Sequence, residues 1–127
     1  MDWKTVKTIA VVGVSNKPDR DSHMVAKYLI DAGFEVIPVN PRIDAFLGIK
    51  AYPDLLSIPS EKKIDIVNIF RKSSEVLPVV EEAIKVGAKA VWLQLGIINE
   101  EAAHMAKKAG LEVVMNRCIK VVHGCEK

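Results

Sequence analysis

The residues Gly13-Val14-Ser15-Asn16-Lys17-Pro18 follow directly on an apolar run, and their types suit an anion. Gly13 permits a tight turn, the Ser15 hydroxyl can donate to a phosphate oxygen, and Lys17 brings a mobile positive charge. A helix opening just beyond, with Ser22 at its start, would aim free backbone amides at the same ligand. The loop lacks the second and third glycines of Gly-x-Gly-x-x-Gly, and the Gly-Lys-Ser/Thr of a P-loop is absent. Taken alone it is therefore also readable as a plain strand-to-helix turn that holds nothing.

Three further groups carry chemistry of the same kind. Asn40-Pro41-Arg42 stands where a dinucleotide fold for NAD would place an acid against the ribose hydroxyls. A neutral Asn40 and a positive Arg42 disfavour NAD and suit a phosphorylated ribose, as in NADP or coenzyme A. The other reading of Arg42 is an ordinary exposed cation after a proline that stops a strand. Phe70-Arg71-Lys72 sets an aromatic ring beside a cationic fork, able to stack on adenine and to bind phosphate. Phe70 is equally well a core aromatic. Gln94 and Gly96 could line a cleft next to the first loop, with Trp92 before them in the core.

Other reactive side chains point away from catalysis. Cys118, after Asn116-Arg117, reads as a small buried hydrophobe rather than a nucleophile, because no base is adjacent in sequence. His23, His104 and His123 are isolated and show no metal-ligand spacing, so no metal is expected.

All these groups fall just after short apolar runs, and those runs define the elements that must position them. Thr8 to Val12 is apolar and β-branched, the pattern of a central strand enclosed on both faces. Glu35 to Val39 is a second strand, and Pro38, which cannot donate to a ladder, places it near an edge or turns that position away from the neighbouring strand. Ile64–Phe70, Ala90–Leu93 and Leu111–Met115 are the third, fourth and fifth. Helical stripes separate them. Ser22 caps the first, which carries Val25, Tyr28, Leu29 and Ala32 and ends at Gly33. Ser73-Ser74 opens the second, with Pro78 in its first turn and Val76, Val79, Val80, Ala83 and Ile84 inward. Asn99 caps the third, with Glu100-Glu101 at its start and Lys107-Lys108 at its end. The stretch from Arg42 to Lys63 is irregular, with one helical turn expected within Tyr52–Ile58.

The alternation predicts an α/β domain, a single doubly wound Rossmann-like unit over 1–127. Its parallel five-stranded sheet is expected in the order 3-2-1-4-5, helices on both faces, with the ligand at the carboxyl ends of the strands.

Composition sets the outer limits. At 127 residues the chain is one domain, large enough to bury roughly two thirds of its unfolded surface. A net charge of +2 is too mild, and its cations too interspersed with acids, for a nucleic-acid partner. No run approaches the roughly 20 apolar residues of a membrane span. The start, Met1-Asp2-Trp3-Lys4, does not read as a secretory signal, and two cysteines make no disulfide framework. A cytoplasmic protein is expected.

Five segments in order resemble a known family: Ile9–Ser15, Val36–Pro41, Ile69–Arg71, Trp92–Gly96 and Ala109–Cys118. Together they are similar to the stand-alone CoA-binding domains, which in turn resemble the first domain of the succinyl-CoA synthetase alpha subunit. The resemblance implies coenzyme A in an open cleft, its pyrophosphate on Gly13, Ser15, Asn16 and Lys17. It implies a nucleotide bordered by Asn40, Pro41 and Arg42, with Arg42 near the ribose phosphate, and further contacts from Ile69, Phe70 and Arg71. A pantetheine arm starting at the first loop could reach toward Cys118. The synthetases also need a phosphohistidine and a nucleotide-grasping part, and no histidine here matches that role. The expectation is a binding module for coenzyme A or an acyl-CoA, not a ligase, acting alone as a homo-oligomer or beside a partner enzyme. The alternative is a small NADP-binding oxidoreductase, disfavoured because no Tyr-x-x-x-Lys proton donor is present.

Overall fold

The computed structural model describes residues 1–126. In order the chain forms β1 (Thr8–Val12), α1 (Asp21–Asp31), β2 (Glu35–Val39), β3 (Ala45–Phe46), β4 (Ile49–Lys50) and β5 (Ile66–Ile69). Then come α2 (Val76–Lys85), β6 (Ala90–Leu93), α3 (Glu100–Lys108), β7 (Glu112–Met115) and α4 (Ile119–Glu126). Five strands pair in parallel in the order β2-β1-β5-β6-β7, and β3 and β4 form a separate antiparallel hairpin.

Counting only the five strands of the main sheet, this order is 2-1-3-4-5, which corrects the expected 3-2-1-4-5. The third strand lies against β1, with Ile9 opposite Ile66 and Val12 opposite Ile69. The physical reason was already present in Pro38. The Pro38 carbonyl accepts the Tyr52 amide, so the side of Pro38 without an N–H faces outward, away from β1. A 3-2-1 order would have made β2 an inner strand and set that missing donor in a ladder. The irregular stretch after β2 is long enough to pass back over β1 and begin β5 on its other side. The Leu55–Ser57 turn packs on α2 during that return, where the Leu55 amide donates to Glu82 Oε1 at 3.0 Å.

Each face of the sheet carries its own core. Val25, Ala26 and Leu29 of α1 and Ile119 of α4 cover Ile9, Val11, Ile66 and Trp92. Val76, Val80 and Ala83 of α2 and Ala102 and Ala106 of α3 cover Ala10, Val12, Val67, Ile69, Val91 and Leu93. Helices on opposite faces follow from right-handed crossovers that run in opposite directions from β1.

Local starts differ in detail from the sequence pattern. Ser22 does not cap α1: Arg20 is the N-cap, without a side-chain bond, and Ser22 sits inside the first turn with its hydroxyl turned to the preceding loop. Ala32 is exposed at the end of α1 instead of completing the inward stripe. Ser73 and Ser74 open a short 3-10 turn, and α2 itself begins at Val76. Asn99 does cap α3, accepting the Ala102 amide at 3.0 Å. Among the described residues no helix is long and apolar enough to cross a membrane.

Candidate functional site

The loop after β1 is forced into place by a close approach of two strand ends. Gly13 has φ +87°, and a Cβ there would drive into the carbonyl of Phe70. The Phe70 amide in turn donates to Val12 O at 2.8 Å. Only glycine meets both demands, a positive φ and no side chain. The exits of β1 and β5 thus come together at the point where strand order reverses, the usual ligand crevice of an open parallel sheet.

Within the loop, polar groups hold one another. The Ser15 amide donates to Ser22 Oγ at 3.0 Å, and the Lys17 amide donates to Ser15 Oγ at 3.1 Å. Both hydroxyl oxygens are used as acceptors, which leaves each O–H proton to donate, from Ser15 at the half-buried loop and from Ser22 beneath it, which is buried. The helix begins near Ser22 as expected, but the amides of Ser15 and Lys17 are bonded to these hydroxyls and are not free for an anion. His23 is buried, with Nδ1 3.0 Å from Ser15 O and its ring edge-on to Phe46 at 5.0 Å.

Asn40 and Asn16 brace the loop. Asn40 Nδ2 donates to Val14 O at 2.8 Å, while its Oδ1 accepts the Arg42 amide at 2.9 Å. Asn16 Nδ2 donates to Ala45 O at 3.1 Å, tying the loop to the β3–β4 hairpin. Pro41, Arg42, Asn16 and Lys17 are exposed, and Arg71 is half-buried. Ile69 is wholly enclosed in the α2 face, so its side chain is core and only its backbone reaches the edge. Phe70, half-buried, stands between the two roles weighed for it: it packs on the α1 face and also lines an open cleft.

That cleft has a volume of about 410 Å³ and lies between the first turn of α1 and the start of α4. Phe70, Gln94, Leu95 and Cys118 come from the ends of β5, β6 and β7, and Met24, Val25 and Val121 from the two helices. Gln94 is 3% exposed, and its Oε1 accepts the Ile119 amide at 3.0 Å, which seats α4. Beneath it, Trp92 Nε1 donates to Arg117 O at 2.8 Å. Asn68 lies opposite Trp92, one pleat below Phe70, and neither polar atom of its fully buried amide meets a protein partner.

The ion pairs of the described residues lie away from the carboxyl edge of the sheet, although unpaired lysines such as Lys7 and Lys85 also occur at the amino edge. Three ion pairs form among the described residues: Lys27–Asp31, Lys62–Glu35 and Lys89–Asp65. All three lie at the amino edge of the strands or at the end of α1 that reaches it. There Lys62 and Thr8 hold Glu35 below the usual carboxylate range. Burial raises the Asp65 carboxyl, but bonds from the Lys7 and Thr8 amides and from Lys89 outweigh it, and the net shift is downward. At the carboxyl edge Lys17, Arg42 and Arg71 have no carboxylate partner among the described residues. Asp19 and Asp21 share that edge and are unpaired too.

Sequence reasoning missed Asp21, Met24, Val25, Leu95, Lys120 and Val121 as cleft residues. Helix α4 was not anticipated, because its eight residues carry a weak apolar stripe interrupted by Gly124.

The model of the CoA binding domain family matches residues 7–124. The uncharacterized protein YneT of Bacillus subtilis is 51% identical over 121 residues, spanning 95% of this chain and 88% of that protein. A hypothetical protein from Pyrococcus horikoshii superposes with a TM-score of 0.92 at 46% identity, over 96% of this chain and 84% of that one. The ADP-forming acetate–CoA ligase of Methanocaldococcus jannaschii is 26% identical over 92% of this chain, but the match spans only 18% of the ligase.

Proposed function

The chain belongs to the CoA binding domain family, and from that premise we propose that it binds coenzyme A, without catalysing a reaction, at the carboxyl edge of its parallel sheet. The diphosphate rests on the Gly13–Lys17 loop, where the Ser15 hydroxyl donates, with Ser22 beneath it, and Lys17 supplies charge. Asn40 keeps that loop in shape, and Pro41 and Arg42 border the nucleotide, with Arg42 toward the ribose phosphate. Arg71 adds charge beside Phe70, and the pantetheine arm runs along Phe70 and Gln94 toward Cys118.

The observation that carries this reading is the gathering of Lys17, Arg42 and Arg71 with the Ser15 hydroxyl on the loops that leave β1, β2 and β5, beside the point where strand order reverses. None of the three cations meets a carboxylate among the described residues. A polyanion with several phosphates satisfies such a set. The three histidines lie outside the cleft. His23 is engaged with Ser15 O and Phe46, His123 is bonded to the Tyr28 hydroxyl at 2.7 Å, and His104 is exposed on α3.

Titration calorimetry of the whole chain with CoA, acetyl-CoA, NADPH and NADH separates the readings. Saturable binding of the CoA compounds and none of the nicotinamides is expected. Tighter binding of NADPH than of CoA would overturn the proposal.

A further inference from the structure

Among the described residues, half of the large exposed apolar side chains surround one opening. Met24, Leu95 and Val121 are 44%, 68% and 61% exposed, and all three rim the cleft whose floor is Val25 and Phe70. Leaving such a group uncovered in water is unfavourable, and it marks a surface that something apolar covers. At about 410 Å³ the cleft lies in the range of small-molecule sites rather than of protein interfaces.

Gln94 supplies the buried polar group of this wall, and the charged Asp21 and Lys120 stand at its exposed margin. Gln94 Oε1 is committed to the Ile119 amide, a bond that settles which way the Gln94 amide is turned. Its Nε2 then has two N–H donors, no protein acceptor among the described residues, and a place in the wall of the cleft. The buried atoms left without a partner are those of Asn68, whereas Gln94 Nε2 opens on the cleft, where a ligand oxygen can take the place of water. A free thiol offers no such oxygen and gains little from Met24, Leu95 and Val121. An acyl thioester offers both a carbonyl and a hydrocarbon tail.

Building on the coenzyme A reading, we propose that the ligand is an acyl-CoA with an unbranched, uncharged acyl chain. Gln94 Nε2 donates to the thioester carbonyl, and the acyl chain lies across Met24, Leu95 and Val121. No bond is made or broken: the site shelters the thioester and selects it over free coenzyme A.

The test is calorimetric titration of the whole chain with CoA, acetyl-, butyryl- and hexanoyl-CoA, alongside Gln94→Glu and Val121→Asp. In the native chain affinity is expected to rise roughly two- to fourfold for each methylene that enters the cleft. Gln94→Glu keeps the oxygen that seats α4 but removes the donor, and should abolish the advantage of acetyl-CoA over CoA. Val121→Asp should flatten the chain-length series. Equal affinity for CoA and hexanoyl-CoA would overturn this inference and leave the coenzyme A reading standing, whereas no binding of any of the four would remove both. If Val121→Asp instead changed the oligomeric mass and left the series intact, the apolar rim would be a contact between copies, and the inference would fall.

Discussion

Gly13 and Phe70 are locked together: the backbone carbonyl of Phe70 occupies the space that any side chain at position 13 would need. Through this one contact the phosphate-type loop after β1 and the aromatic-cationic group after β5 become parts of a single edge. Gly13→Ala is therefore expected to destabilise the fold by about 2 kcal/mol or more, from strain at positive φ and from displacement of β5. Urea unfolding measures it. A loss under about 0.5 kcal/mol would mean that the two strand ends are not tightly apposed.

The charges at the carboxyl edge should act through phosphate. Lys17→Ala is expected to weaken CoA by about 1–3 kcal/mol. Dephospho-CoA should bind less tightly than CoA, and the gap should narrow as salt is added and nearly close in Arg42→Ala. Equal affinities for CoA and dephospho-CoA in the native chain would take Arg42 out of contact with the ribose phosphate.

The two cysteines give an internal control. Cys118 is half-buried in the cleft, whereas Cys125 is exposed on α4 and does not line it. Alkylation by iodoacetamide, followed by peptide mass analysis, should be slowed by CoA at Cys118 and unchanged at Cys125. Equal rates at Cys118 with and without saturating CoA would show that the pantetheine arm does not run through the cleft.

Much of this site was legible in the sequence, because strand ends in a parallel sheet announce themselves as apolar runs that stop. Gly13, Ser15, Lys17, Asn40, Phe70 and Arg71 were placed after strand ends that way, and the structure sets them along one edge of the sheet. Strand order was not, although Pro38 held the signal: an edge strand at β2 is incompatible with a third strand outside it. The β3–β4 hairpin stayed hidden because its turn is Leu47-Gly48, with φ of 48° at Leu47, and not the Asn-Gly that normally marks such turns. The loop also turned out self-braced. Asn40 and Asn16 spend their amides on Val14 and Ala45, a role that residue type alone does not distinguish from ligand contact. The apolar half of the cleft depends on where α4 packs, and that is a tertiary fact.

At the other edge of the sheet, Asp65 ties β5 to the residues that open β1, through the Lys7 and Thr8 amides at 2.8 and 3.0 Å. Its carboxyl titrates below the usual value when folded. Such a group stabilises the fold at pH above its unfolded value near 4, and the contribution fades as pH falls through the lower folded value. Asp65→Ala should therefore cost about 1–3 kcal/mol at pH 7 and progressively less toward pH 2, as followed by chemical denaturation. A gap that stays constant over that range would show that the ionised carboxylate is not what holds the two amides.

The central claim is the location of the ligand, and amide chemical shifts of labelled protein titrated with CoA test it most directly. The account predicts saturable shifts at Gly13, Ser15, Lys17, Phe70, Arg71, Leu95 and Cys118, with Asp65, Lys89 and Glu112 at the opposite edge unmoved. Shifts confined to that opposite edge, or none at saturating CoA, would contradict it.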